Sequence, residues 1–267
     1  MARNIKRQTA YDIVLNIKID SFDFRCYYIL QYIYNNPHKF ILWGGLLNLY
    51  LVSNIITCVC AFIGFIFGGI KFFAPRKALY AQMITFAAGC MGFGRLYQIV
   101  RILTGGNILG EFQLGVLGVI GSLVFLFSAN FGLMDTLADD GSKKFLKYRI
   151  IPAAAPAAAV AFYVVFFVFS DIETIPLIVA GVVTAIVSAA SYFNLKHLIF
   201  PDVDYGVINC LKLYNLLALI FEFLCLAEMF AYIRDYGTLA LVTGILTGIV
   251  LLIMTPAVER GIKKWTT

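Results

Sequence analysis

Charged residues are scarce in this chain. Asp, Glu, Lys and Arg make up 13% of its 267 residues, while 61% are apolar. Ordinary globular chains carry about a quarter charged residues, so a soluble fold with a solvated surface is excluded. Histidine is scarcer still, with only His38 and His197, and multi-histidine zinc chemistry needs more. The six cysteines, Cys26, Cys58, Cys60, Cys90, Cys210 and Cys225, form no CxxC pair. Five of them sit in or beside apolar runs, where free thiols behave as small apolar groups. Neither a disulfide framework nor a metal site is expected. His197, Asp202 and Asp204 could meet at a cation, but loop solvation is the simpler reading. No cofactor and no nucleic-acid partner is expected.

Other absences narrow the field further. No polar stretch is long enough for a second soluble domain. The first forty residues hold no short apolar run with a small-residue cleavage site, so no secretory signal is expected. The apolar runs contain no Ser/His/Asp or paired-carboxylate arrangement, which argues against an enzyme that modifies lipids. Residues 237–258 hold no lysine for a Schiff base, which excludes a retinal pigment.

What the chain has is long apolar segments and a mean hydropathy of +0.86. A helix needs about 20 apolar residues to cross a bilayer. Seven such segments lie near residues 42–70, 78–103, 112–137, 150–170, 175–195, 207–233 and 237–257. Their continuous apolarity favours helices over the alternating pattern of a barrel. The expected fold is all-α: a polytopic integral membrane bundle of seven transmembrane helices over residues 41–259. An amphipathic segment at 1–40 precedes it, and a basic tail at 260–267 follows. The aromatic run Phe22–Tyr34 suits an interfacial helix and equally a tail packed on the bundle.

Basic residues divide unevenly between alternate loops. One side holds Lys71, Arg76, Lys77, Lys143, Lys144, Lys147, Arg149, Lys196, Arg260, Lys263 and Lys264; the other holds Arg101 and Arg234. Lys and Arg favour cytoplasmic loops, which places the C-terminus and the loops near Pro75, Ser142 and His197 in the cytoplasm. Seven spans then place the N-terminus outside, whereas the basic N-terminal tail (Arg3, Lys6, Arg7, Lys18, Arg25, Lys39) points the other way. Either the tail is translocated against the rule, or the segment 42–70, where Asn48, Ser53 and Asn54 fall, is a broken or re-entrant element.

Small residues are spaced for helix packing: Gly64 with Gly68, Gly244 with Gly248, and Gly115, Gly118 and Gly121. Ionisable residues inside apolar runs are costly, and each is a candidate site. Arg95 and Glu222 lie at matched depth with opposite sign, which predicts a pair. Gln98, Glu111, Gln113 and Glu228 fall near them, and together they suggest a polar ligand-binding pocket in the outer half. Asn130, Asp135, Lys212 and Asn215 form a thinner inner set with a structural or coupling role, in which Lys212 and Asp135 share a depth. The loop Asp139–Arg149 reads either as a docking surface for a cytoplasmic partner or as an ordinary basic cluster.

These features leave three functional classes. The first is a transporter or channel-like protein that handles a small solute or ion in the polar pocket. The second is a seven-span sensor or receptor-like protein without retinal. The third is a scaffolding subunit of a membrane complex.

Overall fold

The computed structural model describes residues 37–73, 79–104, 114–131, 139, 141–170, 172–201 and 207–266. Met1–Gly45 and Leu46–Thr267 form two compact units, and every side-chain contact below lies within the second. The helices are α1 (Pro37–Phe72), α2 (Leu79–Leu103), α3 (Leu114–Ala129), α4 (Lys143–Ser170), α5 (Thr174–Ile199), α6 (Val207–Ile233) and α7 (Gly237–Thr266). Among the described residues there is no strand.

Five of these helices are long and apolar enough to cross a membrane: α1 over Leu49–Phe72, α4, α5, α6 over Leu211–Ile233, and α7 over Gly237–Lys264. Of the seven expected spans, five meet this measure of length and apolarity among the described residues, and α2 and α3 do not. Helix α2 carries Gln82, Arg95, Gln98 and Arg101 within 25 residues, which dilutes its apolar run. Helix α3 is apolar but only 16 residues long. The five helices are compatible with an integral membrane protein.

Helix α1 runs unbroken through Ser53 and Asn54, so the chain has no re-entrant element there. Those polar side chains bond sideways. Ser53 Oγ donates to the Ala240 carbonyl at 2.9 Å, and Thr57 Oγ1 to the Gly244 carbonyl at 2.9 Å. Helix α4 starts seven residues before the expected 150, because Lys143–Phe145 and Ile151–Ala153 are 3₁₀ turns around a short α segment. Pro152 sits in that second turn, where a missing N–H interrupts the regular ladder. Helix α7 likewise runs on through the basic residues 260–266.

The glycine steps are contact surfaces. A methyl group added at Gly118 would lie 2.5 Å from Gly94 Cα, so α2 and α3 meet backbone to backbone. Gly64 of α1 faces the Leu251 carbonyl of α7, and Gly248 of α7 faces Cys60. Outward positions are apolar: Ile66 is 59% exposed, Ile70 68% and Phe169 76%. Such a surface suits lipid better than water.

Contacts at the ends show that the helices alternate in direction. At one end Lys71 meets Glu259 at 3.6 Å, and Lys196 and Arg149 both bind Asp139. At the other, Tyr50 Oη donates to Asp235 at 3.0 Å, and Arg234 donates to the Ser170 carbonyl at 2.7 Å. Asp235 is the left-handed residue (φ 56°) that closes α6, with the Tyr236 N–H bonded back to the Ala231 carbonyl at 2.8 Å.

Candidate functional site

Two buried polar clusters face different sides of α6. The first is built on Arg95, which is 3% exposed. Its Nη2 forms an ion pair with Glu228 Oε2. Its Nη1 donates to Gln98 Oε1 at 3.0 Å and to Asn54 Oδ1 at 3.4 Å. Asn54 Nδ2 in turn donates to Tyr232 Oη at 2.6 Å and to the Tyr50 carbonyl at 2.8 Å. The Tyr50 and Tyr232 rings pack with centroids 5.0 Å apart, and Tyr50 continues to Asp235. Helical spacing explains the assembly. Arg95 and Gln98, Tyr50 and Asn54, and Glu228 and Tyr232 are each three or four residues apart, and so share a face.

The expected Arg95–Glu222 pair is therefore corrected to Arg95–Glu228. Counting residues compares depth but ignores direction. Six positions on a helix rotate the side chain, leaving Glu222 and Glu228 about 120° apart around α6. Glu228 looks towards α1 and α2, and Glu222 towards α5.

Glu222 anchors the second cluster. It is wholly buried, and its Oε1 accepts from Asn194 Nδ2 at 2.5 Å. Asn130 Nδ2 donates to Asn194 Oδ1, which links α3, α5 and α6. Glu222 Oε2 has no hydrogen-bond partner among the described residues, nor do Tyr214 Oη and Asn215 Oδ1. No described cation pairs with Glu222. Between the two clusters Cys225 lies buried on α6, a free thiol like Cys58, Cys60 and Cys90.

Of the expected pocket residues, Arg95, Gln98 and Glu228 converge, and Glu222 stands apart. Glu111, Gln113 and Asp135 lie outside the described residues. Lys212 is half-buried and forms no ion pair among the described residues, so its match with Asp135 is not on view. An open hollow is lined by Asp235, Tyr236, Gly237, Thr238, Leu239 and Val242, and includes none of the expected ligand-binding residues. Asn54, Asn194 and Tyr232 were missed from the sequence. Neutral polar residues within apolar runs were the available signal. Among the described residues no group of three or more His, Cys, Asp or Glu side chains could hold a metal ion.

A third cluster sits at the basic end of the bundle. Asp139 accepts from Arg149 Nε at 2.7 Å and from the Gly141 N–H at 3.1 Å, and meets Lys196 Nζ at 2.9 Å. The Arg149 hydrogen bonds, then those of Lys196 and Gly141, hold the Asp139 carboxyl well below the usual carboxylate range, against the opposing effect of burial. Searches against known protein families, curated proteins and solved structures find no match to this chain.

Proposed function

We propose that this chain is a seven-span membrane protein that passes protons or a small monovalent cation past the buried polar groups of α6, with Glu222 as the binding residue. One observation carries the reading: Glu222 is fully buried, and among the described residues one of its carboxylate oxygens has no partner and no cation faces it. A carboxylate in such surroundings needs a proton or a cation to offset its charge, and intramembrane carboxylates mark ion paths. Buried polar groups recur on α6 at Tyr214, Asn215, Glu222, Cys225, Glu228 and Tyr232. From Tyr214 to Tyr232 the helix rises about 27 Å, close to the hydrocarbon thickness of about 30 Å.

Under this reading α2 and α3 also cross the bilayer. The ring of contacts around Arg95 keeps α2 inside the bundle, and the glycine contact brings α3 against it. The C-terminus is cytoplasmic, because the lysine-rich ends of α1, α5 and α7 and the start of α4 carry the basic excess. The Arg95–Glu228 pair fixes the register of α1, α2 and α6 beside the path.

Purified protein in liposomes, loaded with a pH-sensitive dye and driven by a potassium diffusion potential, tests the reading. Wild type should admit protons or Na⁺ faster than empty liposomes, and Glu222→Gln should not. Flux equal to that of empty liposomes for protons, Na⁺ and K⁺ alike would defeat it.

A second reading has its own support. The Arg95 guanidinium is held by Asn54, Gln98 and Glu228, as expected of a structural lock in a sensor or scaffold. That reading gains if no flux is found while Arg95→Ala still disrupts the fold.

A further inference from the structure

We propose that the face formed by Lys143, Lys144, Leu146, Lys147 and Ile150, at the start of α4, docks the headgroups of acidic phospholipids. This rests on the membrane reading but not on ion handling. At helical spacing of about 100° per residue, these five residues occupy one arc, and Phe145, Tyr148 and Arg149 the opposite one. The burial agrees. Leu146 is 53% exposed and Ile150 62%, and the three lysines are exposed as well, while Phe145 and Tyr148 pack on Phe200.

The charges on this face have no counter-ion among the described residues. Asp139, the described carboxylate at this end of α4, is engaged by the half-buried Arg149 and the buried Lys196. No described carboxylate pairs with Lys143, Lys144 or Lys147. Instead Lys144 Nζ lies 5.3 Å from the centre of the Phe145 ring, and Lys147 Nζ 4.8 Å from that of Tyr148. Each ammonium group thus lies against the face of a ring, which is weaker compensation than a carboxylate, and both lysines stay exposed. Apolar residues between them point the same way, so the face can sit at the boundary between acyl chains and headgroups. Negative headgroups supply the missing counter-charge, and each lysine near an anionic surface contributes about fivefold in affinity.

Native mass spectrometry of the full chain, purified with mixed phosphatidylglycerol and phosphatidylcholine, tests this. Wild type should retain phosphatidylglycerol in preference to phosphatidylcholine. The K143Q/K144Q/K147Q triple variant should lose that preference, by roughly a hundredfold in affinity if the three contributions add. The corresponding triple arginine variant should keep it. Thermal unfolding in phosphatidylcholine alone should be the same for all three proteins. Equal retention of the two lipids by wild type overturns the proposal, as does a preference that survives in the glutamine variant. Displacement of the lipid by millimolar inorganic phosphate would also overturn it, since the site would then read a free anion.

Discussion

Arg95 of α2 and Glu228 of α6 form a buried ion pair, at 3% and 2% exposure, whose guanidinium also donates to Gln98 and Asn54. Removing one partner leaves a charge stranded, which costs about 3–5 kcal/mol for buried pairs. Arg95→Ala and Glu228→Ala should each destabilise the protein by that order. The double variant should cost less than the sum, because the second removal no longer strands a charge. Denaturation in mixed micelles measures all three. Strict additivity would show that the two residues do not act together.

Glu222 should behave differently. Its only described partner is the Asn194 amide, which donates to Oε1. Glu222→Gln keeps an acceptor there and removes the charge, so stability should change by about 1 kcal/mol or less. Glu222→Leu leaves the Asn194 donor unsatisfied and should cost about 1–3 kcal/mol. The same micelle denaturation compares them. Glutamine proving as costly as leucine would mean that the carboxylate has a cation partner outside the described residues.

Most helices are legible as continuous apolar runs, α2 less so for its polar residues, and the packing glycines are legible because their spacing brings backbones together. The pairing was less so. Residue counting placed Arg95 beside Glu222, yet the rotation of α6 hands Arg95 to Glu228. Depth along a chain is one-dimensional, whereas partner choice depends on which helix each face meets. In the sequence Asn54 reads as an interruption of an apolar run, and Asn194 as one polar residue near the end of another. In the fold they are the links that join α1 to Arg95 and α5 to Glu222. Helix ends were read too short at Lys143, because charged residues end an apolar run without ending a helix.

At the basic end, Asp139 should be a stability determinant. Its folded carboxyl titrates below its unfolded value, held down first by Arg149. Such a group contributes fully above the unfolded pKa of about 3.9, and the contribution fades as pH falls below it towards the lower folded value. Wild type should therefore lose stability below about pH 4, and Asp139→Asn should show less of that loss. At neutral pH the variant should be weaker by about 1–3 kcal/mol, since Arg149 and Lys196 would lose their shared charged acceptor. Unfolding curves from pH 3 to 7 in a non-ionic detergent check both statements.

The α2–α3 contact should tolerate no added atoms. A methyl group at Gly118 meets Gly94 Cα at 2.5 Å and the Cys90 carbonyl at 2.6 Å, both backbone atoms that cannot swing aside. Gly118→Ala should cost about 1–3 kcal/mol, the range for overpacked cores. Gly69→Ala, with nothing within 4 Å of the added atom, should be neutral and serves as the control. Equal effects at the two positions would show that the backbones do not meet at Gly118.

Alternating helix direction leads to a last test, of which end faces the cytoplasm. Gly141 lies beside the Asp139 cluster at the end that also holds the Lys71–Glu259 contact. Thr174 begins α5 at the opposite end, four residues beyond Ser170, whose carbonyl accepts from Arg234. Single cysteines at these two exposed positions, in a chain whose native cysteines are replaced, should therefore label from opposite sides of the membrane. The basic excess around Gly141 predicts that its cysteine is protected in intact cells and labelled after permeabilisation. The Thr174 cysteine should label in intact cells. A reversal of the two would invert the topology while keeping the bundle. Labelling of both from the same side would mean that α4, a 28-residue helix between them, does not cross.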